Sequence, residues 1–109
     1  MEVLTVDNRK LLGLRIKELR KRASLSQEVL AEKAGIEPTS LSNIENGRNF
    51  PSFITLENIM RVLNVGYFDV FQFAQYAPAD DLIQEITTIL KDNPERVKDA
   101  YRIIKALVD

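Results

Sequence analysis

Two short apolar patterns separated by a glycine turn, within residues 27–45, restrict the possible fold more than any other feature of this chain. In the first pattern, Leu30, Ala31 and Ala34 recur at helical spacing, and Gly35 follows them where a left-handed residue would end a helix. A helix this short is marginal by itself, because its few internal hydrogen bonds barely offset the cost of forming its first turn. The segment is therefore expected to pack against neighbouring helices.

The second pattern begins at Pro38, which fits the first turn of a helix because the N–H that proline lacks would have no partner there. Leu41 and Ile44 form the inner edge of this helix, and Asn46-Gly47 ends it. Its outer surface carries small uncharged side chains, namely Thr39, Ser40, Ser42, Asn43 and Asn46. Two short helices joined by a glycine-containing turn form a unit whose second helix can lie in the major groove of DNA.

Apolar residues at helical spacing also occur on both sides of this unit. They predict a first helix lined by Leu12, Ile16, Leu19 and Ala23, a fourth lined by Leu56, Ile59, Met60 and Leu63, and a fifth in the aromatic segment at 66–76. Phe68 and Phe71 are expected to close the core, because aromatic side chains at helical spacing usually belong to cores. The whole chain is thus expected to be helical, which is an all-α fold.

Composition restricts the function as well. Hydrophobic residues make up 45% and charged residues 28%, the balance of an ordinary globular domain. The sequence contains neither cysteine nor histidine, so it has no thiolate or imidazole ligand for zinc and no side chain with an unperturbed pKa near about 7. A glycine-rich phosphate loop is also absent from the sequence. We therefore expect no enzymatic activity, no catalytic residue, no bound metal and no cofactor.

The sequence gives no sign of a membrane segment. No apolar run approaches the roughly 20 residues needed to cross a bilayer. The amino terminus, "MEVLTVDNRK", lacks the basic-then-apolar order of a signal peptide. A cytoplasmic location is therefore expected, without contact to a membrane.

Charge is divided unevenly along the chain, although the net charge is only −1. Residues 1–48 hold nine Lys/Arg against seven Asp/Glu, whereas residues 49–109 hold six against nine. Within residues 9–22 there are seven basic residues and one acidic residue. Such a run is either a solvated helix face or part of a surface that binds nucleic acid, and composition alone leaves both interpretations open.

The chain resembles the helix-turn-helix of the Xre family, the lambda-repressor-like and Cro-like DNA-binding domains of bacteria and phages, over "SQEVLAEKAGIEPTSLSNIENGRNFPSFITLENIMRVLNV". The likeness extends from about Leu11 to Phe73. It includes the "SQ" opening of the second helix, the "LAEKAG" turn, the "LSNIENG" end of the third helix and the "P…TL…I…L" pattern of the fourth, in this order. The resemblance implies a five-helix lambda-repressor-like DNA-binding domain and a function in transcriptional regulation.

The resemblance also implies roles for single residues. Members of the family commonly pair an Arg of the first helix with the Glu near the end of the third, and the matching positions here are Arg20 and Glu45. A buried pair of this kind fixes geometry more than it adds stability. The alternative is an exposed Glu at a helix end. The positions that match base-reading residues are Pro38, Thr39, Ser40 and Asn43, with only apolar contact expected from the proline.

Phosphate contacts are implied for Gln27, Asn46 and Arg48, which lie at the start of the second helix and just past the third. Family members often carry more Lys or Arg after the Asn-Gly, whereas "RNFPSF" contains a single basic residue. Each missing phosphate contact makes DNA binding weaker and less dependent on salt. Lys10, Arg15, Lys21 and Arg22 of the basic first helix are candidates to compensate, and periodicity alone does not identify which of them face DNA. Of these, Arg15 and Lys21 are expected to add phosphate contacts.

Beyond Pro78, two further apolar patterns predict a helical hairpin with Asp92-Asn93-Pro94-Glu95 between its helices. The side chains expected to contact a second subunit or another protein are Leu82, Ile86, Ile89, Leu90, Tyr101, Ile104 and Leu107. Two apolar stripes in about 30 residues cannot bury each other completely, so the hairpin packs on the first domain, on a second copy or on a partner protein. A homodimer is preferred, because paired reading helices need a two-fold axis that places them about 34 Å apart.

The predicted organisation is an N-terminal arm at residues 1–8, a helix-turn-helix domain at 9–76 and a C-terminal hairpin at 77–109. The predicted function is that of a dimeric repressor that reads an inverted-repeat operator in double-stranded DNA through its third helix. Two alternatives stay open. One is an antitoxin that holds a toxin with the hairpin, and the other is a protein-interaction module whose helix-turn-helix no longer reads DNA.

Overall fold

The computed structural model of the protein describes residues 7–109, and every regular element in that range is helical. The described helices are α1 (Asn8–Arg22), α2 (Gln27–Ala34), α3 (Pro38–Glu45), α4 (Phe53–Leu63), α5 (Tyr67–Val70), α6 (Ala79–Asp92) and α7 (Val97–Val108), with 3₁₀ turns at Ala74–Tyr76 and Pro94–Arg96. The prediction of an all-α fold is confirmed. The predicted arm at 1–8 falls outside the described residues except for Asp7 and Asn8, which cap and begin α1.

Local capping determines where the two short central helices begin and end. The Ser26 hydroxyl accepts a hydrogen bond from the N–H of Val29 at 3.1 Å, which satisfies one of the free donors at the start of α2. Gly35 ends α2 with a φ of 74°, a left-handed conformation that side chains disfavour. No side chain caps α3, and Pro38 at its start removes one N–H that would need a partner.

A single hydrophobic core holds α1 to α5 together. Its buried side chains are Leu12, Ile16, Leu19, Leu30, Ala31, Ala34, Leu41, Ile44, Leu56, Ile59, Met60, Leu63 and Val70. They include every inner-edge residue predicted for the first four helices except Ala23, which is exposed. Burying a branched apolar side chain contributes about 1.5–3 kcal/mol relative to leaving it in water. This packing stabilises α2 and α3, which are too short to be stable alone.

The end of the core differs from the prediction for the aromatic segment. Phe68 and Phe71 are 82% and 51% exposed, so the expectation that they close the core is wrong. Val70 is fully buried in their place, with Phe73 partly buried beside the core. The reason is the length of α5. It has four residues, about one helical turn, so only one of its side chains faces the core.

Tyr67 joins the start of α5 to α4. Its ring stacks on that of Phe53 with the centroids 5.9 Å apart, and its hydroxyl donates to Glu57 Oε2 at 3.0 Å. Partial burial of the phenol, together with this hydrogen bond to a carboxylate, raises the pKa of Tyr67 above its usual value. The hydroxyl therefore keeps its proton, and with it the link between α4 and α5, throughout the physiological pH range.

The chain divides into two compact units between Ala74 and Gln75. The second unit, Gln75–Asp109, contains α6 and α7 with the turn at Pro94 between them. Neither helix of this unit contains a buried residue. None of the described helices of either unit is both long enough and apolar enough to span a membrane.

Candidate nucleic-acid interface

The outer face of α3 presents the four residues predicted to read bases. Pro38, Thr39 and Ser40 are exposed in the first turn, and Asn43 is half-buried one turn further along. When a recognition helix lies in the major groove, the side chains of its N-terminal residues contact the base edges. The structure thus brings all four to one surface, and it places none of them in the core.

Asn43 has a neighbour that the sequence did not predict for it. Arg48 donates through Nη1 to the Asn43 side-chain oxygen at 3.4 Å and through its backbone N–H to the Asn43 carbonyl at 2.9 Å. The long side-chain bond directs the amide NH₂ of Asn43 away from the guanidinium. A carbonyl oxygen has two lone pairs, so Asn43 can accept from Arg48 and from a base at the same time.

Glu45 lies at the junction of three helices. Arg20 of α1 donates through Nε to Oε2 at 2.8 Å and through Nη2 to Oε1 at 3.0 Å, while Gln27 of α2 donates through Nε2 to Oε1 at 2.8 Å. The Glu45 side chain is 1% exposed and that of Arg20 is 9% exposed. Such a fully bonded two-pronged pair orients both side chains strongly. Arg20 also donates to the Leu25 carbonyl at 2.8 Å, which ties the turn before α2 to the same junction.

Gln27 was predicted to contact a phosphate, and the structure shows what holds it. Its amide donates one N–H to Glu45, and the residue is half-buried at the first position of α2. A glutamine amide has two N–H donors, so the second remains for an external acceptor. The bond to Glu45 therefore positions the amide that would meet DNA.

A residue that the sequence analysis missed sets the distance between α1 and α3. A Cβ atom on Gly13 would lie 2.4 Å from the carbonyl oxygen of Ile44 and 2.6 Å from that of Glu45. These distances are far below van der Waals contact, and the neighbours are backbone atoms that cannot rotate away. Gly13 therefore lets the last turn of α3 lie directly on α1. The signal in the sequence was a lone glycine inside a helical pattern.

The basic residues of α1 fall into two groups. Arg15 is only 5% exposed, and it donates to the Asp69 carbonyl at 2.8 Å and to the Glu18 carboxylate. The prediction that Arg15 contacts a phosphate does not fit this burial, because its guanidinium instead holds α5 against α1. Arg22 lies 3.5 Å from Glu18. Lys21 is exposed, and no carboxylate of the described residues lies within 4.0 Å of it.

Asn46 and Arg48, the other predicted phosphate contacts, are exposed at the end of α3. Asn46 donates weakly to the Ser42 hydroxyl at 3.4 Å, so its amide is held near the helix end. Gly47 between them has a φ of 77° and turns the chain away from α3. Within residues 7–109, no group of three or more carboxylates is arranged to hold a metal ion.

Comparison with known proteins identifies the family of this chain. The family model for a helix-turn-helix domain matches residues 11–67. The HTH-type transcriptional regulator y4dJ of Sinorhizobium fredii is 34% identical over 65 residues, which are 60% of this chain and 84% of that protein. SinR, an HTH-type transcriptional regulator of Bacillus subtilis, is 45% identical over 56 residues, half of each chain.

A solved structure shows the same arrangement of helices. The restriction-modification controller protein C.AhdI of Aeromonas hydrophila superimposes with a TM-score of 0.58 and 26% sequence identity, over 61% of this chain and all of that one. The family model, which matches residues 11–67, includes α3 and both members of the Arg20–Glu45 pair. The resemblance to the Xre family is confirmed, and the chain belongs to the helix-turn-helix domain family.

Proposed function

We propose that this protein is a sequence-specific DNA-binding transcriptional regulator that acts as a repressor. The observation that carries the proposal is the junction at Glu45, which fixes the end of α3 to α1 and α2 while the outer face of α3 stays exposed. A rigidly held helix with small polar side chains facing outward can enter the major groove. The relatives named as HTH-type transcriptional regulators support this function. The immunity repressor protein of Bacillus phage phi105, 43% identical over 54 residues that are 38% of that protein, supports the repressor role.

The chemistry of the α3 face suits base edges. Asn43 can accept from the N6 amino group of an adenine and donate to its N7, which distinguishes that base from the other three. Thr39 and Ser40 can bond to several base edges, and the Thr39 methyl can contact that of a thymine. Pro38 offers apolar contact alone. Specificity is thus expected to depend most on Asn43.

Phosphate contacts would fix the register of α3 on the duplex. The second N–H of Gln27, the amide of Asn46 and the guanidinium of Arg48 are available for this role, together with the exposed Lys21. Contacts of this type carry no sequence information, but they supply much of the affinity. Arg15 is left out of the proposed set because its guanidinium is used inside the protein.

The second unit is proposed to join two copies of the chain. Its apolar side chains Ile86, Ile89, Tyr101, Ile104 and Leu107 are between 46 and 78% exposed, with Leu82 and Leu90 half-buried among them. An apolar surface of this kind marks an interaction site. A second copy is the proposed occupant, because a two-fold dimer would present two α3 helices to an inverted-repeat operator.

Selection of bound duplexes from a random pool by the purified protein, at two salt concentrations, tests the DNA-binding function. We expect a two-fold-symmetric motif with half-sites about one helical turn apart. Asn43→Ala should cost about 1–3 kcal/mol on the selected site and relax the preference at one base position. Asn58→Ala, which removes the same amide from α4, is the matched control. Sequence-blind binding by the wild type would contradict the proposal.

Sedimentation of the full chain tests the dimer. Ile86→Glu and Ile104→Glu place a charge on the exposed apolar face and should convert a dimer into a monomer, whereas Thr88→Glu, an exposed position on α6, should leave it intact. A dimer that survives both isoleucine substitutions would place the interface elsewhere. A wild-type monomer that purifies with a second polypeptide would instead favour the antitoxin or protein-interaction alternative.

A further inference from the structure

Two lysines of α1 line a cleft at the carboxyl end of α3. The cleft has a volume of about 220 Å³ and is lined by Lys10, Leu14, Lys17, Glu45 and Asn46. The three α1 residues follow one another at helical spacing, so their side chains lie on one face of that helix. The cleft is thus formed where α1 passes the end of the proposed reading helix.

The charge of the cleft is positive. Among the described residues that line it, Glu45 is the one carboxylate, and both of its oxygens are bonded to the Arg20 guanidinium, so the pair is neutral overall. No carboxylate of residues 7–109 lies within 4.0 Å of the ammonium group of Lys10 or Lys17. Within the part of the chain that the structure describes, the two lysines are therefore uncompensated cations, and they favour an anion in the cleft.

Gly47 brings Lys10 to this position. A Cβ atom on Gly47 would lie 2.6 Å from Lys10 Cγ and 2.8 Å from Lys10 Cα, so only a glycine allows the Lys10 stem to cross the turn after α3. That turn carries Asn46 and Arg48, the residues proposed to contact phosphates. The Lys10 side chain thus lies directly beside the proposed path of the DNA backbone.

We propose that Lys10 and Lys17 form, with Asn46, a phosphate-binding cleft that extends the contact with the DNA backbone from the end of α3 to α1. This inference rests on the proposed DNA-binding function and adds a site to it. It also accounts for the loop after Gly47, which contains one basic residue. Arg15 is buried, and the other arginines of α1 are paired with carboxylates. Among the described residues Lys21 is thus the remaining unpaired cation of α1, and it already belongs to the proposed phosphate contacts.

The salt dependence of binding to the selected duplex tests the cleft. Each lost phosphate contact makes the slope of log K against log salt less steep by about 0.9. Lys10→Gln and Lys17→Gln should each reduce the loss of affinity between about 50 and about 200 mM salt by about 3.5-fold, and the double variant by about 12-fold. The base preference should be unchanged, because phosphate contacts carry no sequence information.

Two sets of variants serve as controls. Lys98→Gln, on an exposed position of α7, makes the same change in net charge and should leave the slope as it is in the wild type. Lys10→Arg and Lys17→Arg keep the charge at the cleft and should restore the wild-type slope. A slope that changes equally in Lys98→Gln would show an effect of net charge and would overturn the site.

The outcomes separate this inference from the proposed function. Wild-type protein that selects an operator, together with lysine variants whose slope is unchanged, overturns the cleft and leaves the function intact. If those variants also melt at lower temperature, the lysines act on the carbonyl end of α3 instead of on DNA. Wild-type protein that binds no duplex overturns the function and the cleft together.

Discussion

Replacing Arg20 by methionine would leave the Glu45 carboxylate in a buried position without its charged partner. Glu45 would keep one hydrogen bond, from Gln27, and the Leu25 carbonyl would lose its donor. Removing one member of a buried pair costs about 3–5 kcal/mol, because the remaining charge stays desolvated. Both side chains are at least nine-tenths buried, so we expect this full range for Arg20→Met. A small domain has a total stability of about 5–15 kcal/mol, so the loss is large.

Urea denaturation followed by far-UV circular dichroism measures the effect, with a double-mutant cycle as its internal control. Arg20→Met combined with Glu45→Leu removes both charges, and an apolar pair of similar volume is often as stable as the ion pair it replaces. We therefore expect the double variant to regain most of the stability that the single variant loses. It should still bind the selected duplex less tightly, because Glu45 no longer orients Gln27 and the end of α3.

Two results would refute this reasoning. A cost below about 1 kcal/mol for Arg20→Met would mean that water reaches Glu45 and that the pair behaves like a surface salt bridge. A double variant that binds operator as tightly as the wild type would show that packing alone positions α3. In that case the junction would have no part in presenting the reading helix.

Three further predictions concern the packing of α3, a proposed phosphate contact and the cap of α2. Gly13→Ala should destabilise the protein by about 1–3 kcal/mol in thermal denaturation, because its Cβ would strike the backbone at the end of α3, whereas Gly66→Ala, whose Cβ would meet nothing closer than 3.9 Å, should be tolerated. Arg48→Ala should weaken binding to all duplexes about equally and make the salt slope less steep by about 0.9. Ser26→Ala should cost about 1 kcal/mol of stability without changing the selected base motif, because it removes only the cap of α2.

Local chemistry explains why most of the fold could be predicted. Ser26, Gly35 and Pro38 act through the backbone of their own helix, so their types and positions alone define the limits of α2 and α3. The apolar stripes were equally informative, since helical periodicity identifies the side that a helix buries whatever its partner is. The outer polar surface of α3 followed from the same pattern, as the side that the stripe leaves outside, whereas the base-reading role of its residues was implied only by the resemblance to the Xre family.

The features that could not be predicted depend on contacts between distant parts of the chain. The sequence pattern predicted Arg15 to be a surface cation. Its guanidinium is instead buried, and it donates a hydrogen bond to the carbonyl of Asp69, 54 residues away. Nothing in the spacing of the first helix reveals such an acceptor. Phe68 and Phe71 followed a helical pattern, but the actual length of α5 decides which side chain turns inward. The close approach at Gly13 likewise depends on where two backbones cross.

The contacts that hold α3 in place are separate from the exposed side chains proposed to read bases. α3 is held by Gly13 on one side and by Arg20 and Gln27 through Glu45 on another, and none of these contacts involves the outer side chains Thr39 and Ser40. Substitutions at exposed positions of a helix usually change stability by less than about 0.5 kcal/mol. The operator preferred by this protein can therefore be altered at the outer positions while the fold is unaffected. Asn43 is the exception among the outer positions, because it is half-buried and accepts a hydrogen bond from Arg48.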